Sequence, residues 1–118
     1  MSERNQCIDY IELPATNATQ LAQAKAFYAS TFGWKYQDWG DEYSDTQSSG
    51  VNSGLNAGTD HRPRAPLPVV YADDLTEVRS NILANHGKVT REIFSFPGGR
   101  RFHFLDPAGN ELAVWSDK

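Results

Sequence analysis

The sequence feature that most constrains the fold is a four-residue turn at 106–109, Asp-Pro-Ala-Gly, placed between two apolar and aromatic segments. Asp suits the first position of a β-turn, proline presets φ at the second, and glycine favours the last. The flanking segments, 101–105 and 110–115, are short and rich in residues that favour strands. The pattern therefore predicts a β-hairpin.

Successive side chains on a strand point to opposite faces of the sheet, so this hairpin predicts two different faces. One face is apolar and suits packing, since it carries Phe102 and Phe104 on the first strand and Leu112 and Val114 on the second. The other face mixes charged, polar and aromatic side chains, as the wall of a polar-lined cavity would. Its members are Arg101, His103, Leu105, Glu111, Ala113 and Trp115.

The rest of the chain predicts one pattern, a strand, a helix and three strands, written twice. The first copy covers about 7–58 and the second about 67–116. The linker between them, 59–66, holds two prolines and no periodicity. Each copy alone would leave an apolar sheet face exposed, and together the two copies can bury it. We therefore predict a single α+β domain over residues 1–118 that contains two modules.

Two segments resemble the vicinal-oxygen-chelate superfamily, which includes glyoxalase I, the fosfomycin- and bleomycin-resistance proteins and the extradiol dioxygenases. Residues 104–113 follow its closing pattern F-x-D-P-x-G-N-x-x-E except at the last position, and residues 24–34 match its first-helix pattern A-x-x-F-Y-x-x-x-F-G-W. The resemblance implies two βαβββ modules whose curled mixed sheets surround a cavity. It also implies a homodimer.

The one departure from the closing pattern of the superfamily is at a position that binds its metal ion. The metal-binding Glu of the family falls on Ala113, and the other chelating positions fall near Tyr10, near Leu67 and within 53–56. None of these positions offers His or a carboxylate, the donors that a divalent ion favours. We therefore expect no metal and no other cofactor. A site made of His103, Glu12 and Tyr10 is the alternative, although a catalytic zinc site normally has three good protein ligands.

Six residues are candidates for a site in the implied cavity. His103 and Glu12 are the catalytic candidates, and the ligand-binding candidates are Tyr10, Tyr71, Arg101 and Trp115. Each has a structural interpretation as well. His103 can be a half-buried histidine bonded to a polar neighbour, Glu12 and Arg101 can form a structural salt bridge, and the aromatic rings can be core filler.

Three functions fit these residues. The first is a metal-free protein that binds a small organic molecule in its barrel cavity. The second is a metal-independent lyase or isomerase in which His103 acts with Glu12 or Tyr10. The third is an interaction module whose cavity is filled by Tyr10, Tyr71 and Trp115. The fold alone does not choose among them.

Composition excludes some partners. The net charge is −4, which argues against a general nucleic-acid-binding protein. No apolar run is long enough to span a membrane, and the polar amino-terminal residues lack a signal segment. We therefore expect a cytoplasmic protein with no membrane partner. Cys7 is the only cysteine, and we expect its thiol to be buried and inert.

Overall fold

The computed structural model describes residues 4–118, which fold as two compact units. One unit comprises residues 10–67, and the other comprises residues 68–118 together with residues 4–9. Within the described residues the elements are β1 (Cys7–Pro14), α1 (Ala18–Phe32), β2 (Tyr36–Asp38), β3 (Tyr43–Thr46), β4 (Asn52–Asn56), β5 (Leu67–Tyr71), α2 (Leu75–Ala84), β6 (Lys88–Phe96), β7 (Gly99–Leu105) and β8 (Glu111–Ser116).

This order confirms the predicted α+β class, because a strand, a helix and three strands occur twice. The sheets are mixed, with parallel and antiparallel pairs in both units. The predicted module bounds, 7–58 and 67–116 with a linker at 59–66, stay an interpretation of the sequence. In the part of the chain that is described, no helix is both long and apolar enough to cross a membrane.

The sheet of the 10–67 unit has the strand order β2-β3-β4-β1. Strand β1 runs parallel to β4, and β3 is antiparallel to both β4 and β2. Helix α1 covers one face of this sheet, and the core between them contains Ala15, Leu21, Leu55 and Ala57. Glu12 alternates with Leu13 along β1, so its side chain lies on the other face.

Local chemistry defines both ends of helix α1. Asn17 is its N-cap, because Asn17 Oδ1 accepts a hydrogen bond from Gln20 N at 2.9 Å. Gly33 ends the helix with a left-handed φ of 75°. The far end of the helix is less buried than its apolar periodicity suggests, since Phe27 and Phe32 are 59% and 60% exposed.

The sheet of the other unit has the strand order β5-β8-β7-β6. Strand β8 runs parallel to β5 and antiparallel to β7. Helix α2, whose N-cap is Asp74, packs on the face that carries Phe102 and Val114. The predicted alternation along the hairpin is therefore confirmed, and Arg101 and His103 belong to the opposite face.

One expectation about β1 is wrong. Cys7 is exposed, and the neighbouring Ile8 is 51% exposed. The apolar core beneath α1 begins only further along the strand, where Leu13 packs against it. The thiol of Cys7 therefore lies outside both apolar cores.

The turn at 106–109 is held by the carboxylate of Asp106. Its Oδ1 accepts hydrogen bonds from the backbone nitrogens of Ala108 (2.8 Å) and Asn110 (3.0 Å), and its Oδ2 accepts one from Asn110 Nδ2 (2.9 Å). Gly109 completes the turn at a φ of 89°. These bonds, the side-chain bond from Asn110 first, hold the pKa of the Asp106 carboxyl below its ordinary value. The turn that the sequence predicts is thus formed.

Asp106→Asn should lower the melting temperature near neutral pH by a few degrees and have less effect in acid. A carboxylate whose pKa falls on folding stabilises the protein above its unfolded pKa, 3.8, and the contribution is lost as the pH falls through the folded pKa. Melting curves of both proteins at neutral pH and at about pH 3 would measure this difference. Asp41→Asn, at an exposed position, is the control, and an Asp106→Asn effect equal at both pH values would contradict the expectation.

Candidate functional site

Tyr10 and Glu12 of β1 are joined by a third residue, Tyr43 of β3. Glu12 is 1% exposed, and its Oε1 accepts a hydrogen bond from Tyr43 Oη at 3.3 Å. The hydroxyls of Tyr10 and Tyr43 are hydrogen-bonded to each other. These three residues form what we name the carboxylate–phenol cluster. The structure therefore brings two predicted site residues together through one that the sequence analysis missed.

Gly54 of β4 makes room for this cluster. It pairs with Glu12 on one side and with Asp45 on the other. A Cβ at position 54 would lie 2.0 Å from Tyr10 Oη and 2.6 Å from Tyr43 Oη, far inside contact distance. The two hydroxyls thus meet directly above the glycine, and any side chain there would push them apart.

His103 of β7 is buried and lies between β6 and β8 in its sheet. It pairs with Ala113 of β8, which pairs in turn with Val69 of β5. The His103 side chain is 7% exposed, its Nδ1 is 3.9 Å from Glu111 Oε2, and its ring centroid is 6.0 Å from that of Phe94. His103 is therefore more deeply buried than the half-buried histidine of the structural interpretation.

Arg101 extends the same surface by two residues along β7. It is 8% exposed, and its guanidinium carbon lies 5.4 Å from the ring centroid of Phe94 and 5.9 Å from that of Phe96. A second guanidinium, that of Arg91, lies 4.2 Å from the Phe94 centroid. We name the surface formed by Arg91, Phe94, Arg101, His103 and Ala113 the histidine face. It combines positive charge with flat aromatic rings.

Tyr71 and Trp115 lie together, with their ring centroids 5.1 Å apart. The Tyr71 hydroxyl donates to Asp117 Oδ1 at 2.6 Å, a bond that lowers the pKa of the Asp117 carboxyl, and Trp115 Nε1 donates to Asp9 Oδ1 at 3.0 Å. The Arg4 guanidinium carbon lies 3.9 Å from the Tyr71 centroid. Both aromatic residues thus have structural contacts, and their proposed part in ligand binding stays a prediction.

An open groove of about 560 Å³ lies elsewhere, beside β2 and β3. Its lining residues are Lys35, Tyr36, Gln37, Trp39, Asp45, Thr46, Gln47 and Ser48. Trp39 is 62% exposed, and its Nε1 donates to Asp45 Oδ2 at 3.1 Å. None of the six predicted site residues is among the lining residues.

Comparison with known proteins identifies the family. The sequence model of the Glyoxalase/Bleomycin resistance protein/Dioxygenase superfamily matches residues 8–114, nearly the whole chain. The chain belongs to this superfamily. The match confirms the resemblance that the closing hairpin and the first helix suggested.

Relatives of the chain include proteins from Mycobacterium bovis and Mycobacterium tuberculosis that carry the provisional name glyoxylase CFP32. Each is 29% identical over 110 residues, which cover 82% of this chain and 41% of the relative. The superfamily member described here thus spans less than half the length of these curated relatives. Their whole-protein activity does not transfer to it directly.

Two solved structures show the same fold. An NAD-dependent benzaldehyde dehydrogenase from Legionella pneumophila matches with a TM-score of 0.75 and 12% identity over 92% of this chain and 98% of that one. An Mn(II)-bound glyoxalase from Novosphingobium aromaticivorans matches with a TM-score of 0.68 and 23% identity over 97% of this chain and 40% of that one. At these identities the likeness is one of fold alone.

The chelating positions of the superfamily do not fit a divalent ion in this chain. Two of these positions correspond to Leu67 and Ala113, which are buried and whose side chains have no atom that could bind a metal ion. Ala113 is also the residue of β8 that pairs with His103 of β7. Among residues 4–118 no group of three or more His, Cys, Asp or Glu side chains could hold a metal ion.

Tyr43 is the residue that sequence reasoning missed. Two strands are expected within 43–58, but residues 44–50 show little apolar alternation and leave the bounds of these strands undefined. One usable signal was present: Gly40-Asp41 predicts a turn after β2, and a reversal there returns Tyr43 to the sheet. Its contact with Glu12 also requires that β3 and β1 both pair with β4, which the sequence does not predict.

Proposed function

We propose that this superfamily member binds a small, planar organic acid without a metal ion. The observation that carries the proposal is the composition of the histidine face. Arg91, Arg101 and His103 supply positive or ionisable groups around the ring of Phe94, and Ala113 stands where a metal ligand would be needed. Cationic groups beside flat rings suit a ligand that is both planar and negatively charged.

Metal binding is the first test. Chelator-treated protein should take up well below one equivalent of Zn²⁺, Ni²⁺ or Mn²⁺ in equilibrium dialysis, because alkyl groups occupy Leu67 and Ala113. His103→Gln and, as a matched control at an exposed position, His86→Gln should behave like the wild type. Stoichiometric uptake that His103→Gln abolishes and His86→Gln preserves would contradict the proposal.

Ligand binding is the second part of the same test. A thermal-shift screen of aromatic and enolic acids should find compounds that raise the melting temperature saturably, since a ligand at 100 times its Kd adds about 2.7 kcal/mol. His103→Gln should weaken the best of them by roughly tenfold or more, about 1.4 kcal/mol, whereas His86→Gln should not. Stabilisation by neutral aromatic compounds only would argue against an acid as the ligand.

A second candidate function is a metal-independent lyase or isomerase. The carboxylate–phenol cluster favours it, because a buried carboxylate hydrogen-bonded to a phenol is an arrangement suited to proton transfer. The name of the mycobacterial relatives is in keeping with such an activity. The homodimer and the cytoplasmic location stay predictions.

A further inference from the structure

The groove beside β2 and β3 places an exposed indole next to a carboxylate. Trp39 directly follows β2 and is 62% exposed, and its Nε1 donates to Asp45 Oδ2 of β3 at 3.1 Å. Both residues line the groove, whose volume of about 560 Å³ is within the range of small-molecule sites, roughly 300–1,000 Å³. The hydrogen bond restricts the orientation of the indole ring while leaving most of its surface accessible to a ligand.

The two hydroxyl groups of the lining are hydrogen-bonded within the groove itself. Ser48 Oγ accepts a hydrogen bond from Lys35 N at 2.9 Å and lies 2.8 Å from Thr46 Oγ1, its second hydrogen-bond partner. Thr46 Oγ1 also accepts from Ser48 N at 3.1 Å. A primary ammonium ion has three N–H donors to satisfy, whereas a quaternary ammonium ion has none. The lining therefore favours a cation that does not need to donate hydrogen bonds.

The charge of this hairpin also favours a cation. Residues 35–48 contain one basic side chain, Lys35, and four acidic side chains, those of Asp38, Asp41, Glu42 and Asp45. Lys25 of α1 pairs with Asp38 at 2.7 Å, and carboxylates still outnumber ammonium groups when it is included. The groove is thus set in a segment with an excess of negative charge, which attracts a positively charged ligand.

We propose that this groove binds a small organic cation with a quaternary ammonium group, between the face of the Trp39 indole and the Asp45 carboxylate. An aromatic face attracts a cation through the quadrupole of its ring, and tryptophan does so most strongly. The bond from Trp39 uses Oδ2 of Asp45, and the carboxylate has a second oxygen that can face the same cation. The site belongs to the unit of residues 10–67 and uses no residue of the histidine face.

Choline and a neutral analogue test the site. In the analogue a carbon atom replaces the ammonium nitrogen, so the shape is kept and the charge is lost. The indole N–H of Trp39 gives its own signal in a proton–nitrogen NMR spectrum, and the signals of Trp34 and Trp115 serve as references. Choline should shift the Trp39 signal saturably and should bind roughly fivefold more tightly than the analogue, or better.

Three variants assign the contact, with binding followed at the backbone amide of Gln37, which pairs with Asp45. Trp39→Leu removes the aromatic face, and Asp45→Asn keeps an oxygen acceptor for the indole while removing the charge. Each should weaken choline binding by roughly fivefold or more. Asp41→Asn is the matched control, because it makes the same change of charge at an exposed residue outside the lining and should alter the Kd less than about twofold.

Each outcome supports or overturns the site. Weaker binding by Trp39→Leu and Asp45→Asn, with wild-type circular dichroism spectra and nearly unchanged binding by Asp41→Asn, would support it. Because Trp39 is exposed, Trp39→Leu decides the matter if Asp45→Asn fails to fold. No response to choline, or one no stronger than that to the analogue, would overturn the proposal. Equal weakening by Asp45→Asn and Asp41→Asn would also overturn it, as would binding to phosphatidylcholine vesicles without a response to free choline.

Discussion

Phe102→Ala should lower the free energy of unfolding by about 3–5 kcal/mol, which is a large part of the stability of a domain of this size. Phe102 is 0% exposed and lies in the core formed with Ala72, Leu75 and Val114 beneath α2. Removing its ring loses the favourable free energy of transferring that ring from water into the core. It also leaves a cavity, because the surrounding side chains cannot fully collapse into the space. Urea denaturation followed by circular dichroism would measure the loss.

Phe104→Ala is the matched control for this prediction. Phe104 is on the same face of β7, with its ring centroid 6.4 Å from that of Phe102, but it is only partly buried. Its truncation should therefore cost clearly less. Equal losses for the two variants would show that depth of burial does not decide the stability of this face.

Gly99→Ala should cost about 1–3 kcal/mol or more, through a clash with the backbone. A Cβ at position 99 would lie 2.0 Å from the carbonyl oxygen of Ser116 and 3.1 Å from Asp117 Cα. Neither is the end of a flexible side chain, so β7 and β8 would have to separate at this end. The movement would also disturb the bond between Tyr71 and Asp117. Denaturant melts together with amide hydrogen exchange along β8 would measure both effects.

Gly40→Ala is the comparison, because a Cβ there would meet nothing within 4 Å. Gly40 has a φ of 81°, so alanine should cost about 1–2 kcal/mol from backbone strain alone. Its effect on hydrogen exchange should be confined to β2 and β3. Faster exchange along β8 in Gly40→Ala, or unchanged exchange there in Gly99→Ala, would contradict the assignment of the clash.

The hairpin of β7 and β8 was predictable because its causes are local. The turn chemistry of Asp106 and Gly109 depends on adjacent residues, and alternation then fixes which side chains share a face. The structure contains both the turn and the predicted alternation of side chains. The same alternation placed Arg101 and His103 on the face opposite Phe102.

The carboxylate–phenol cluster was not predictable in the same way. Tyr43 and Glu12 are 31 positions apart in sequence. Their side chains meet because β4 pairs with both of their strands and Gly54 of β4 leaves room for the contact. Pairing between distant strands follows from the whole sheet rather than from any short segment. Sequence reasoning could therefore name Tyr10 and Glu12 as candidates but could not supply the residue that connects them.

Helix α1 shows a different limit of periodicity. The spacing of its apolar residues predicts a stripe from Leu21 to Phe32, yet only Leu21 is buried within the helix. Periodicity identifies which residues share a face but not how far the sheet beneath extends to cover them. Phe27 and Phe32 are consequently exposed beside Tyr28 and Trp34.

The position of Arg4 over Tyr71 also makes the fluorescence of Trp115 sensitive to the amino-terminal segment. Its guanidinium carbon also lies 5.2 Å from the ring centroid of Trp115, whose indole nitrogen donates to Asp9. Detachment of this segment would remove a cation and a hydrogen-bond acceptor from the indole at once. The emission wavelength and quantum yield of Trp115 should therefore change when this segment detaches, so that its detachment can be followed by fluorescence without an added label.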